Sequence, residues 1–331
     1  MASIPRLLPS NPLGIQQGAE VLLQGDVLAF PTETVFGLGA LVTQPHAVQA
    51  IFRLKGRPSN HPLIIHVAEG VDFSPWAKVD SVWAKALINA FWPGPLTLVV
   101  PKGDQLSTQV TGGQDSVGIR CPQHPVAQAL LKRLPAPVAA PSANRFGRLS
   151  PTCVEHVIDE LGNQLQFILN GDASAIGIES TIVSLLSSQP VLLRPGAITV
   201  EQLEAVLKCK VLKQSEVQSS EPVRFSGGLA QHYSPNKKLY VCNHNDFKEL
   251  FKQNQVNQGF FIGWSNSFLS QIPSNAFFIQ LADKASAVAE KLYAVLRQAD
   301  QSYCDYIVIE KPDQSSEWEA VADRLMRASA K

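Results

Sequence analysis

The 331-residue sequence has no excess charge of either sign: lysine plus arginine and aspartate plus glutamate number 28 each. Proteins that grip nucleic acid or anionic membrane over a broad face are usually more basic. Phosphate binding is therefore expected only in a local pocket. The five cysteines, Cys121, Cys153, Cys209, Cys242 and Cys304, are scattered. None forms a C-x-x-C pair, which removes the usual zinc and redox-dithiol readings. An odd count in a long chain fits a reducing compartment. No run of about 18 apolar residues exists, so no membrane-spanning helix is expected. The start, MASIPRLLPSNPLG, is poor in apolar residues and broken by prolines, unlike a signal peptide. The expectation is a cytoplasmic protein with no membrane attachment.

Familiar catalytic signatures are missing too. There is no G-x-x-x-x-G-K-[ST], nor any Gly-Lys dipeptide, so no P-loop. Gly37-Leu38-Gly39 is a bare G-x-G with Val42 where the third glycine of a dinucleotide fingerprint would fall. H-E-x-x-H and G-x-S-x-G are absent, which argues against a zinc protease and a serine hydrolase.

What is present is ample apolar material, at 45% hydrophobic and 17% charged, enough for a sizeable core and two domains. Through the first two-thirds, strand-like and helix-like patterns alternate. Helices are read at 15–24, 46–55, 82–91, 126–134, 154–161 and 201–207. Strands are read at 27–30, 63–67, 96–100, 117–120, 138–140, 167–169, 181–185 and 191–193. This is a mixed α/β domain with a large sheet, ending at Leu207. Residues 208–238 are polar and Ser-rich and read as a linker. Residues 239–331 alternate strands and helices again, as a smaller Rossmann-like α/β domain.

Polar clusters gather at strand ends. Pro31-Thr32-Glu33-Thr34 precedes Gly37 and Gly39. It reads about equally as an ordinary turn and as a ligand loop whose glycines let a ligand approach the backbone. Lys55 closes a helix, where the dipole alone favours a cation. Arg57, two residues on, is harder to treat so, because a lysine beside an arginine fork suits a polyphosphate. His66 ends a strand, and such a histidine is more often a core residue than a ligand contact. Residues 141–152 hold hydroxyls, Asn144, Arg145 and Arg148. Glu179-Ser180 precedes a strand, and Arg120 and Arg194 end strands. Each arginine alone reads as a surface cation, but their repeated placement points to one shared cleft.

Taken together, FPTETVFGLGA (30–40), IFRLKGRPSNHPLIIHV (51–67), WPGPLTLVV (92–100), VGIRCPQHPVA (117–127), APSANRFGRLSPT (140–152), GIESTIVSL (177–185) and LLRPG (192–196) resemble the YrdC-like family, in particular its two-domain threonylcarbamoyl-AMP synthases. Ser226-Gly227-Gly228 and Gln231-His232-Tyr233-Ser234-Pro235 look like that family's interdomain segment. The resemblance implies a twisted mixed sheet with a deep cavity and a Rossmann-like second domain. It implies that L-threonine, bicarbonate and ATP, the last with Mg²⁺, give threonylcarbamoyl-AMP and pyrophosphate. A separate tRNA threonylcarbamoyl transferase system then uses the product on the adenosine next to the anticodon of ANN-decoding tRNAs.

By the same resemblance Lys55, Arg57, Ser142 and Asn144 match the K-x-R and S-x-N signature around the phosphates and reaction centre. Thr34, His66, Arg120, Ala140 and Ser180 match threonine positions, with Arg120 the partner of its carboxylate. Arg57, His61, Ser116, Ser142, Ser150, Arg194 and Tyr233 match ATP positions. His61 stands where many members carry asparagine, and Ser116 where threonine is common. Tyr233 would make the linker a lid over the nucleotide. The cluster is expected to hold cations and hydroxyls and few carboxylates. A monomer or weak dimer, with at most weak tRNA contact, is expected. Two rivals remain: an RNA-binding module using the basic cavity, and a carbamoyltransferase, although the zinc-finger cysteines and acylphosphatase part of the latter are absent.

Overall fold

A computed structural model describes residues 4–217, 223–228, 233–243, 245–253, 258–274 and 276–330. Gln231 and His232 of the interdomain motif lie outside them. By contacts the chain divides into two units. The first comprises Met1–Phe146, Pro151–Ala175 and Glu179–Gly228; the second comprises Gly147–Ser150, Ile176–Ile178 and Leu229–Lys331.

Among its described residues the first unit has eleven strands: β1 (Arg6–Leu8), β2 (Leu28–Phe30), β3 (Gly37–Leu41), β4 (Ile64–His66), β5 (Leu96–Pro101), β6 (Ser116–Arg120), β7 (Val138–Ala139), β8 (Phe167–Leu169), β9 (Thr181–Ser184), β10 (Val191–Arg194) and β11 (Leu212–Lys213). They form one mixed sheet in the order β1-β8-β2-β3-β7-β4-β6-β5-β9-β10-β11. Near-continuous apolar runs such as Leu96–Val100 are buried throughout, as central strands covered on both faces require.

Helices α1 (Pro12–Leu23), α2 (Pro45–Lys55), α3 (Val82–Phe91), α4 (Thr108–Thr111), α5 (Pro125–Leu131), α6 (Val154–Leu161) and α7 (Val200–Leu207) connect the strands. Their starts are chemically marked. Asn11 caps α1 at Gly14 N, Ser81 caps α3 at Ala84 N, and Thr199 with Gln202 forms a capping box on α7. One continuous apolar core includes Phe30, Phe36, Ile51, Leu87, Ile119 and Leu130.

The structure corrects the sequence reading at the G-x-G. Gly37 and Gly39 lie within a central strand, not in a ligand loop. A Cβ on Gly39 would stand 2.7 Å from Val138 Cγ1 and 2.8 Å from Phe30 Cε1. The glycine therefore makes room for neighbouring core side chains. Part of the expected linker is also sheet: β11 adds to the edge beside β10 in parallel.

The second unit has β12 (Lys238–Cys242), β13 (Gly259–Gly263), β14 (Phe277–Gln280) and β15 (Tyr306–Glu310), all parallel, in the order β12-β15-β13-β14. Helices α8 (Phe247–Gln253), α9 (Asn266–Leu269), α10 (Ala285–Gln301) and α11 (Glu319–Ser329) complete it. No helix among the described residues is long and apolar enough to cross a membrane.

Candidate active site

Lys55 and Arg57 stand where α2 ends. Gly56 adopts φ 61°, and a Cβ there would meet nothing within 4 Å. Conformation, not space, calls for this glycine. Gly56 N donates to Arg53 O and Arg57 N to Phe52 O, the paired bonds of a Schellman end. Both cations are buried, at 3% and 6% exposure. Lys55 Nζ donates to the carbonyl oxygens of Ser142 and Asn144 at 2.5 and 2.6 Å. One ammonium thus joins the K-x-R turn to the S-x-N loop.

Burial first, and then Arg57, push the Lys55 pKa well below the usual lysine range, against the opposing pull of Glu160 and Glu179. Arg57 donates to Pro62 O at 2.8 Å and lies 6.0 Å from the Phe146 ring centre. His61 meets the same ring edge-on at 5.5 Å. Burial, then Arg57 and Arg224, lower its pKa. Asn144 is fully buried, and its Nδ2 donates to Arg145 O at 2.8 Å.

A second group lies along one row of the sheet. The parallel register of β4 and β6 pairs His66 with Arg120, and the antiparallel register of β6 and β5 pairs Arg120 with Thr97. Residues directly paired across strands share a face. The Arg120 Nε donates to Gly94 O at 3.3 Å and its Nη1 to Thr34 Oγ1 at 2.7 Å. Its Nη2 lies 2.6 Å from Glu33 Oε1.

The hydroxyl directions around Thr34 follow. Thr32 gives its one hydrogen to Val35 O at 2.5 Å, so the hydrogen between Thr32 and Thr34 comes from Thr34. Thr34 Oγ1 is left to accept, and it accepts from Arg120. Burial, and then the Arg120 charge, hold His66 down to about 3, so its imidazole is neutral. Ala140 sits beside this row, its N donating to Ile64 O at 2.9 Å.

A third group is tied to the second through Thr97. Its Oγ1 lies 2.8 Å from Ser180 Oγ. Arg194 donates to Ser180 O at 3.0 Å, to Ser180 Oγ at 3.1 Å and to Ser226 O at 2.9 Å. Ser116 starts β6 and so stands at the opposite end of that strand from Arg120. It lines a small cleft with Thr97, Arg224 and Phe225. Ser150 and Tyr233 belong to the second unit. Both are buried, and Tyr233 has φ 61° with its ring 5.9 Å from that of Tyr293.

Reading the residues alone had placed Glu33 and Glu179 inside polar clusters without a role of their own, and had not named Thr97 or Glu160. The expectation of few carboxylates is corrected, because Glu33, Glu160 and Glu179 are buried at 7%, 8% and 7% exposure. The signal for Thr97 and Glu33 is positional: each matters because of the strand or loop opposite it. Among the described residues, no group of three or more His, Cys, Asp and Glu side chains is placed to hold a metal ion.

A mixed sheet whose strand ends carry buried cations, hydroxyls and a neutral histidine has the chemistry to hold a small anionic molecule. Comparison with known proteins gives the class. A family model described as "Telomere recombination", named for Sua5, YciO and YrdC, matches residues 20–196, and one described as "Threonylcarbamoyl-AMP synthase, C-terminal domain" matches residues 198–330. The threonylcarbamoyl-AMP synthase of Bacillus subtilis is 38% identical, over 97% of this chain and 94% of its own. That of Pyrococcus abyssi is 35% identical, over 95% and 94%. The crystal structure of P. abyssi Sua5 complexed with L-threonine matches with a TM-score of 0.89 at 33% identity, covering 99% of this chain and 98% of the other. The chain belongs to the threonylcarbamoyl-AMP synthase family.

Proposed function

We infer that this protein condenses L-threonine, bicarbonate and ATP into threonylcarbamoyl-AMP and pyrophosphate, in support of tRNA threonylcarbamoylation. The observation that carries the reading is the full-length match to a synthase relative whose structure holds L-threonine. The site supplies what the reaction needs. A carbamate oxygen attacking the α-phosphorus of ATP requires positioning and charge neutralisation more than a covalent intermediate.

Lys55, Arg57, Ser142 and Asn144 serve the phosphates and the reaction centre. Thr34, His66, Arg120, Ala140 and Ser180 hold threonine, with Arg120 serving its carboxylate. His61, Ser116, Ser150, Arg194 and Tyr233 join Arg57 and Ser142 in binding ATP. A Mg²⁺ accompanying ATP would take ligands chiefly from phosphate oxygens and water. The domain assignment is a catalytic domain over 1–207, a linker over 208–238 that closes on the nucleotide, and a C-terminal domain over 239–331. The linker reading is supported by Arg224, which donates to Asn60 O at 2.6 Å and to Gly112 O at 2.9 Å, beside His61.

A cytoplasmic enzyme, monomeric or weakly dimeric, would pass its product to the tRNA threonylcarbamoyl transferase system. Weak tRNA contact fits that handover. RNA binding as the primary role is not favoured, given the charge balance and the family. The test is to supply carbon-labelled bicarbonate with ATP and L-threonine. Label should appear in a nucleotide product that needs all three, and not when serine replaces threonine. ATP binding with no labelled nucleotide would overturn the assignment.

A further inference from the structure

Among the buried acids of the described residues, Glu33 is set apart: both its carboxylate oxygens are buried and neither accepts a hydrogen bond. Its partner is the charge of Arg120, at 2.6 Å but without hydrogen-bond alignment. A buried ion pair whose acid keeps its lone pairs unused is a costly arrangement that folding alone does not favour. Neighbouring contacts hold it in place all the same. Thr32 Oγ1 accepts from Thr34 N and Val35 N, and Ser174 Oγ donates to Thr32 O at 2.9 Å, which pins the loop on both sides of Glu33. The residue is 7% exposed and its side chain 9%, so the carboxylate stands largely out of water beside Arg120.

We propose that Glu33 is the acceptor for the α-ammonium of the amino-acid substrate, so that Glu33 and Arg120 together recognise a zwitterion. The inference rests on the synthase reading above. An arginine alone would bind the α-carboxylate and bury the α-ammonium without a partner, which desolvation penalises heavily. A carboxylate beside it, with two oxygens able to accept, removes that penalty. Arg120 and Glu33 neutralise each other, and a zwitterion brings the same two charges in mirrored order. Glu33 is thus a specificity-determining residue that selects amino acids over the corresponding desamino acids. A site built to bond a substrate N–H rejects analogues lacking it strongly.

The probes are L-threonine and β-hydroxybutanoate, which is threonine with hydrogen in place of the ammonium. Calorimetric titration of the full-length wild type should favour threonine by roughly a hundredfold or more. Equal affinities would overturn the proposal without any variant. Glu33→Gln should lose at least about tenfold in threonine affinity while β-hydroxybutanoate binding is unchanged or improved, and Glu33→Asp should recover part of the loss. Equal losses for both ligands would mean that Glu33 acts only by supporting Arg120, and would sink the idea. Unchanged threonine binding would do the same. ATP binding, measured alongside, shows that each variant is folded. Because these are binding readouts, they stand apart from turnover: a wild type that binds threonine selectively but makes no nucleotide product would break the synthase reading and leave Glu33 in place.

Discussion

Two glutamates, one in each unit, make an instructive pair. Glu33 and Glu310 are both 7% exposed and both stand just beyond or at the end of a strand. Glu310 is saturated. It accepts from Trp264 N at 2.6 Å, from Ser265 N at 2.9 Å and from Ser265 Oγ. Its carboxylate fills a turn between β13 and α9 that would otherwise carry unpaired backbone donors. Glu33 has the Arg120 guanidinium against it at 2.6 Å and no aligned hydrogen bond. The same residue type at the same burial is structural where its lone pairs are used up and chemical where they are not.

The same contrast orders the expected effects. The largest belongs to Lys55, the buried lysine at the end of α2 in the first unit. Lys55→Ala should lower turnover by about 100- to 1000-fold, close to 3–4 kcal/mol of transition-state stabilisation. Single-turnover kinetics with saturating ATP and threonine would show it, and full turnover would remove Lys55 from the chemistry. Glu310→Ala should leave the threonine KM unchanged and cost the second unit about 3 kcal/mol, since buried backbone donors lose a charged acceptor. Urea unfolding followed by the stacked Trp264–Trp318 pair is the readout. A shifted threonine KM would contradict the purely structural role.

His66 gives a pH test within the first unit. Its folded pKa, about 3, lies below the ordinary 6.5. Between those values the unfolded chain binds a proton that the folded chain does not. Stability is therefore full above about 6.5 and falls as the pH drops toward 3, by at most about 1.4 kcal/mol per unit. Melting curves of His66→Gln should show a flatter acid limb, and an unchanged limb would refute the assignment.

Smaller effects separate two glycines. Gly39→Ala should cost about 1–3 kcal/mol through overpacking against Val138 and Phe30. Gly56→Ala should cost about 1 kcal/mol through its positive φ alone. Equal losses in denaturant midpoints would blur that distinction.

Much of this architecture was legible in the residues. The helix over 82–91 and the strand over 167–169 keep the expected bounds, because apolar periodicity and caps act locally. β3 escaped because Gly37-Leu38-Gly39-Ala40 has little intrinsic strand preference, and its glycines answer to Phe30 and Val138 in other strands. β1 escaped because three residues beside prolines pair with β8, far along the chain. The arginines at strand ends could be read as a group. Their division could not: Arg120 sits on Thr34 and Glu33, and Arg194 on Ser180 and Ser226. Glu33 looked like one polar residue in a turn until the sheet register set Arg120 against it. Lys55 was expected to face phosphates; what its bonds to the carbonyls of Ser142 and Asn144 show is that it fixes the 142–144 loop.

The most direct test is pyrophosphate release from ATP, measured with and without L-threonine and bicarbonate, for the wild type, Lys55→Ala and Glu310→Gln. The account predicts release only when both co-substrates are present, its loss in Lys55→Ala, and its retention in Glu310→Gln at a temperature where that variant is folded. Release that ignores threonine, or that survives in Lys55→Ala, would contradict it.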